Sequence, residues 1–200
     1  MKLKLFVIAS AIACAASAQA AGYEGGYIVG AVGSSKLKVD KTALDNDLIG
    51  LGATLTTDLW ALFLNRILKI ASSNYCLVGR WLLSMPEGTF THSNIGSSPP
   101  KSAECATGWI AHYLIGIAFA IIFVALVGNN WLQHPTLIPA IVFGVITVLA
   151  PFLIMQPSFG LGFAASKTSN PKQARLRSLI NHASFGVGLY LFGLLVNWLL

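Results

Sequence analysis

Charge is what this sequence has least of. Of its 200 residues only 10% are Asp, Glu, Lys or Arg, against about 25% in an ordinary soluble domain. Over half are apolar, and that balance excludes a conventional soluble enzyme and places the chain among integral membrane proteins. Acids are scarcest, 7 against 13 basic residues, for a formal charge of +6. The basic residues fall in short clusters between apolar runs, where the positive-inside rule expects them, so no nucleic-acid partner is expected.

Cysteine is nearly absent too. Cys14 falls in the N-terminal leader, and Cys76 and Cys105 stand isolated, with no CxxC and no metal-ligand spacing. They read as free thiols, and neither a metal nor a cofactor is expected. No G-x-S-x-G elbow or comparable nucleophile motif occurs, so no catalytic residues are named and no enzymatic activity is indicated. Gly160-x-Gly162-x-x-Ala165 matches the letters of a dinucleotide fingerprint, but that motif needs a strand before it. Here a membrane span precedes it, which excludes a nucleotide loop.

Residues 1–20, "MKLKLFVIASAIACAASAQA", have the parts of a secretory signal: Lys2 and Lys4, an apolar core, and Ala18-Gln19-Ala20 as the cleavage site. Lipidation at Cys14 is the lesser alternative, because "AIAC" lacks the usual Leu three residues before the cysteine. The following Gly-rich alternation around Tyr27, Val29 and Ala31 resembles the first strand of a small outer-membrane β-barrel. One strand cannot close a barrel and no further alternating segments follow. Residues 21–47 are therefore read as a periplasmic, non-barrel tail, with a seam between two coding segments near Asp45 to Gly50.

What is abundant is long apolar runs. Segments 109–128, 137–155 and 183–200 each have a length close to the ~20 residues a bilayer core requires and contain no charge with His neutral. A fourth, 48–67, is more polar, carrying Thr54, Thr56, Thr57, Asp58, Asn65 and Arg66. The fold class expected is an all-α, four-helix transmembrane bundle over residues 48–200. Arg66, Lys69, Arg80 and Lys101 lie between the first two spans, Lys167, Lys172, Arg175 and Arg177 between the last two, and none between Asn129 and Thr136. This distribution predicts an inner-membrane protein with both basic loops cytoplasmic and both termini periplasmic.

Each span carries a row of small and polar residues at helical spacing: Gly50, Thr54, Asp58, Ala61, Asn65; Gly108, His112, Gly116, Ala120; Ala140, Gly144, Thr147, Pro151; and His182, Gly186, Tyr190, Gly193, Asn197. Such rows mark where membrane helices approach one another. Asp58 is the sharpest signal, since a carboxylate at mid-membrane costs on the order of 2.5–3.5 kcal/mol to insert. It reads either as a proton or cation relay or as a neutral packing residue helped by Thr54. His112 and His182 are placed about one turn inside their spans, suited to interhelical hydrogen bonding more than to metal binding.

The candidate polar interior is thus Asp58, His112, Gln156 and His182. Lys172, Arg175 and Arg177 in "SNPKQARLR" form a candidate site for anionic headgroups, with membrane lipid as the partner. The loop "SSNYCLVGRWLLSMPEGTFTH" reads as a packed cap in preference to an interfacial segment anchored by Trp81 and Arg80. Four spans enclose little volume, so a second copy of the chain is the other partner considered.

Several blocks in combination, "GATLTTDLWALFLNRIL", "NYCLVGRW", "GWIAHYLIGIAFA", "APFLIMQPSFGLGFAASKTSNP" and "ARLRSLINHASFGVGLYL", resemble a family of small bacterial membrane proteins, domain of unknown function 2938. The resemblance runs from about Leu48 to Leu200. It implies a multi-span inner-membrane protein and brings no catalytic residues. Function is left between a small transporter or transport-associated protein with a proton-coupled acid at Asp58, a lipid-headgroup binder or lipid-modifying enzyme, and an assembly protein.

Overall fold

Asn170 shows why the last helix begins well before its apolar run. Its Oδ1 accepts the Gln173 amide at 3.2 Å, Pro171 follows at the first helical position, and "KQARLRSLINH" contains neither Gly nor Pro. Those are helix-start signals followed by good helix formers, so the helix runs Pro171–Leu199, not from 183. Hydropathy marks the part of a helix that meets lipid; capping marks where the helix starts.

The computed structural model describes residues 41–70 and 72–199, with side chains from residue 43 onward. The signal peptide, the strand-like segment and most of the tail lie outside the described residues. Within them the elements are α1 (Lys41–Leu68), α2 (Tyr75–Ser84), α3 (Glu104–Val127), α4 (Asn130–Gln133), α5 (Leu137–Ile146), α6 (Gln156–Ser158) and α7 (Pro171–Leu199), joined by 3-10 turns and one π-helical turn. Four stretches, Ala43–Leu68, Glu104–Val127, Leu137–Ser158 and Pro171–Leu199, are long and apolar enough to cross a membrane. Over the described residues the protein is an all-α, four-span membrane protein. α1 starts at Lys41 and α3 at Glu104, earlier than the expected 48 and 109, so residues 41–47 are helical and not part of a tail.

α1 lies between α3 and α7, α7 also packs on α5, and α2 folds across the N-terminal half of α3. The rows of small residues are what let these backbones meet. Gly144 on α5 faces Gly186 on α7, and a Cβ built on either would stand 2.6 Å from the other helix's backbone. Lipid provides no hydrophobic drive between helices, so contact this close is what dispersion and packing require. Ile49, Ala53, Ala120, Phe123, Leu189 and Val196 fill the centre. Leu126 and Ile138, 72% and 76% exposed, face outward as lipid-contacting side chains do.

The third span is broken. Pro151 has no N–H to continue the α-helical ladder; a π-helical turn takes over at Pro151–Met155, and the Gln156 N–H bonds the Pro151 carbonyl five residues back. The extra residue in that turn rotates the remainder of the span about its axis. As a result the inner row Ala140, Gly144, Thr147 ends on buried Gln156.

Above α3 sits a cap made by α2 and residues 85–100. Arg80 is buried and uses four of its five N–H donors: Nε and Nη2 each donate at 2.8 Å to the Glu104 carboxylate, while Nη1 donates to Ile95 O and Ser98 O. Paired this way a buried guanidinium is tolerated. The stretch read as a packed cap is one. Its cysteines are not free thiols: Cys76 on α2 and Cys105 in the first turn of α3 form a disulfide. Their 29-residue separation gives no spacing signal, and only the folding of α2 onto α3 brings them together.

Candidate functional site

The threonines around Asp58 do not serve it. Thr54, Thr56 and Thr57 each donate to the carbonyl four residues earlier, on Gly50, Gly52 and Ala53, a bond β-hydroxy residues make within helices. Asp58 therefore takes its partners from α3. His112 Nε2 stands 2.9 Å from Oδ1, and the Tyr113 hydroxyl donates to Oδ2 at 3.0 Å. Both carboxylate oxygens are thus occupied by donors from adjacent residues of a single helix. With Asp58 and His112 side chains 16% and 17% exposed, the pair is withdrawn from solvent without being sealed.

Tyr75, the first residue of α2, closes the pair from the cap. Its ring stacks on His112 at 3.9 Å between centroids, and Trp109 meets both rings edge-on. Burial, followed by the negative charge of Asp58, pushes the Tyr75 phenol above its ordinary value near 10. It remains a neutral donor beside the carboxylate. Cys76 follows directly, so the disulfide to Cys105 ties the turn that presents Tyr75 to the helix that presents His112.

A second imidazole completes the layer. His182 Nδ1 is 2.8 Å from Thr147 Oγ1, which also contacts the Gly144 carbonyl at 2.6 Å. A hydroxyl has one proton; given to the carbonyl, it leaves His182 Nδ1 as the donor and Nε2 unprotonated when the ring is neutral. His182 lies within electrostatic reach of His112. One polar side chain from each span, Asp58, His112, Thr147 and His182, therefore contributes to the layer. By a 1.5 Å rise per residue it lies roughly 12–17 Å below the cap-side helix ends, two to three turns deep and not one, because α3 and α7 begin earlier than their apolar runs.

The other expected site residues are placed apart. Gln156 sits at the cap end of the third span, buried, its Oε1 without a protein partner. Lys172, Arg175 and Arg177 do not converge: Lys172 is exposed, Arg175 Nε donates to the Ala164 carbonyl at 2.7 Å, and Arg177 turns toward α1, lining a recess with Ala61, Leu64, Ile70, Ser72 and Asn181. Among the described residues no three His, Cys, Asp or Glu side chains group as metal ligands. The layer holds two hydrogen-bonded groups, Asp58 with His112 and Tyr113, and His182 with Thr147. Tyr75 and Tyr113 escaped the sequence reading, although Tyr113 directly follows His112 and a polar pair in an apolar run was the available signal.

Comparison with curated proteins found no match, and comparison with solved structures found none. The sequence profile of a family described as protein of unknown function (DUF2938) matches residues 48–196, and the chain belongs to that family.

Proposed function

We propose that this protein is a small inner-membrane transporter, or a component of one, that takes up and releases a proton at the Asp58–His112 pair. The observation that carries the reading is the 2.9 Å contact between Oδ1 and Nε2 deep between two spans. A proton passing from imidazolium to carboxylate leaves the pair's net charge unchanged, so it moves inside the membrane without exposing a new charge to low dielectric. Intramembrane acids and histidines are costly to keep and mark proton relays in pumps and transporters. The second imidazole, His182, extends the set toward the fourth span.

The test is proton flux into proteoliposomes followed with an entrapped pH dye. Wild-type protein is expected to dissipate an imposed gradient, and Asp58→Asn and His112→Gln to reduce the rate at least tenfold. Equal flux from Asp58→Asn and wild type would remove the proposal. The headgroup-binding alternative has less support, since Lys172, Arg175 and Arg177 point to three different surroundings.

Orientation is the second part of the proposal. Eight basic residues, Arg66, Lys69, Arg80, Lys101, Lys167, Lys172, Arg175 and Arg177, lie in the two loops on the cap side and the helix ends beside them, against three, Lys36, Lys38 and Lys41, up to the first residue of α1. That count favours a cytoplasmic cap and periplasmic termini, while the Cys76–Cys105 bond is of a kind that persists in oxidising compartments. We take the eight-to-three count as the stronger signal, which makes the bond a reducible one in its own compartment. Labelling of intact cells with a membrane-impermeant maleimide after mild reduction decides: protection of Cys76 and Cys105 fits a cytoplasmic cap, and labelling reverses the orientation.

A further inference from the structure

Three contacts hold the first turn of α2 over the polar layer, and they differ in kind. The Tyr75 ring stacks on His112, and the Tyr75 carbonyl packs against Gly108, where a Cβ on α3 would overlap it. Cys76, the next residue, is bonded to Cys105 in the first turn of α3. Only this last contact is covalent. The chain leading into the turn, residues 72–74, is exposed and outside any helix. One turn further along α2, Arg80 and Glu104 join the same two helices through two charge-assisted hydrogen bonds.

The two sulfurs differ in access. Cys105 is exposed and Cys76 half-buried, so a thiolate arriving from solution reaches Cys105 Sγ first. Cys76 is the second residue of α2, and a helix N-terminus stabilises the negative charge that would depart with it. The compartment matters as much as the access. A disulfide facing a cytoplasm is characteristically transient and redox-sensing, whereas one held for structure belongs to oxidising surroundings.

We propose that Cys76 and Cys105 form a thiol–disulfide switch: oxidised, they clasp Tyr75 over the Asp58–His112 pair, and reduction by a dithiol releases the ring and opens the pair. The inference rests on the readings of the cap as cytoplasmic and of the pair as a proton site. A thiolate of the dithiol attacks Cys105 Sγ, the bond between the two cysteines breaks, and Cys76 leaves as a thiolate that takes a proton. The donor's second thiolate then attacks the donor sulfur of the mixed disulfide, freeing Cys105 as a thiolate that is protonated in turn. Two electrons and two protons have passed to the protein, and the donor has closed as a disulfide. An oxidised donor of the same class runs the steps in reverse. With the bond open, α2 stays anchored by Arg80 on Glu104, and its first turn swings about that point, carrying Tyr75 away from His112.

The experiment is carbethoxylation of the full chain in proteoliposomes by diethylpyrocarbonate, read by peptide mass mapping with and without prior dithiothreitol. His112 is expected to react at least fivefold faster once the bond is reduced. The exposed His134, between the second and third spans, is expected to react equally in both states. Cys76→Ala with Cys105→Ala should match the reduced wild type whether or not dithiothreitol is added, and Tyr75→Ala should react fast in both states. Equal His112 rates in oxidised and reduced wild type, or full redox dependence in Tyr75→Ala, overturns the switch. So does a bond that stays fully formed in growing cells, read by acid quenching and alkylation with N-ethylmaleimide. Proton flux measured in parallel separates the two readings. No flux in either redox state, with His112 still redox-dependent, removes the proton site and keeps the clasp. Flux at equal rates in both states, with no change at His112, removes the clasp and keeps the proton site.

Discussion

Asp58 Oδ1 and His112 Nε2 stand 2.9 Å apart although 54 positions separate them in the chain. The contact joins α1 to α3 within two of the four spans, with both side chains largely withdrawn from solvent. Removing one partner leaves the other buried and unpaired, which is the more expensive state. Asp58→Asn and His112→Ala are therefore expected to be non-additive, with a coupling of about 2 kcal/mol, in the range of hydrogen bonds to charged groups. Unfolding of the two single variants and the double variant in mixed micelles measures it. Additivity within about 0.5 kcal/mol would show that the two side chains are neighbours without being partners.

Much of this layer was legible because Asp58, His112 and His182 are polar intrusions in apolar runs, and because Gly116, Gly144 and Gly186 recur at helical spacing. What was not legible comes from outside the spans. Tyr75 reaches His112 only because α2 folds back on α3, a tertiary event with no local signature. Cys76 and Cys105 looked unrelated for the same reason. The helix starts at Lys41, Glu104 and Pro171 were missed because hydropathy reports contact with lipid and is silent on where a backbone ladder begins. Gln156 was noticed as polar, yet its inward direction depends on the π-helical turn that Pro151 sets up.

Gly144 and Gly186 give a packing prediction. Overpacking a core by a few methylenes costs about 1–3 kcal/mol because side chains can shift. Here the atoms a new Cβ would meet are backbone, Gly186 N and His182 O on one side and Ala140 O and Ile141 Cα on the other. Backbone cannot step aside without moving a whole span. Gly144→Leu is expected to separate α5 from α7 and to exceed that range, measured as loss of the folded, monodisperse species on size exclusion. A variant that elutes and melts as the wild type would mean that α5 packs more loosely than its glycine implies.

The disulfide between Cys76 and Cys105 closes a 29-residue separation, for which the chain-entropy relation gives roughly 3–4 kcal/mol at 25 °C. Arg80 and Glu104 hold the same two helices one turn further on, so its loss should loosen the cap locally and leave the bundle folded. Hydrogen exchange on Cys76→Ser with Cys105→Ser is expected to show faster exchange over residues 75–84 and unchanged exchange in α5 and α7. Faster exchange throughout would make the bond a condition of the whole fold.

Tyr75 supplies a pH prediction whose sign can be worked out. Burial and the Asp58 charge raise its phenol above the ordinary value near 10, so between the unfolded and folded values the native state binds the extra proton. Stability then falls as pH rises through that window. The contribution is complete below about pH 10 and declines above it. Absorbance at 295 nm during alkaline titration should show a late tyrosine phase whose amplitude drops in Tyr75→Phe. The same variant keeps the ring that stacks on His112 while removing the group whose ionisation couples to stability, so its melting temperature should fall less between pH 9 and 11 than that of the wild type. An identical decline in both proteins would show that the Tyr75 phenol is in contact with water and that the cap does not close over the Asp58–His112 pair.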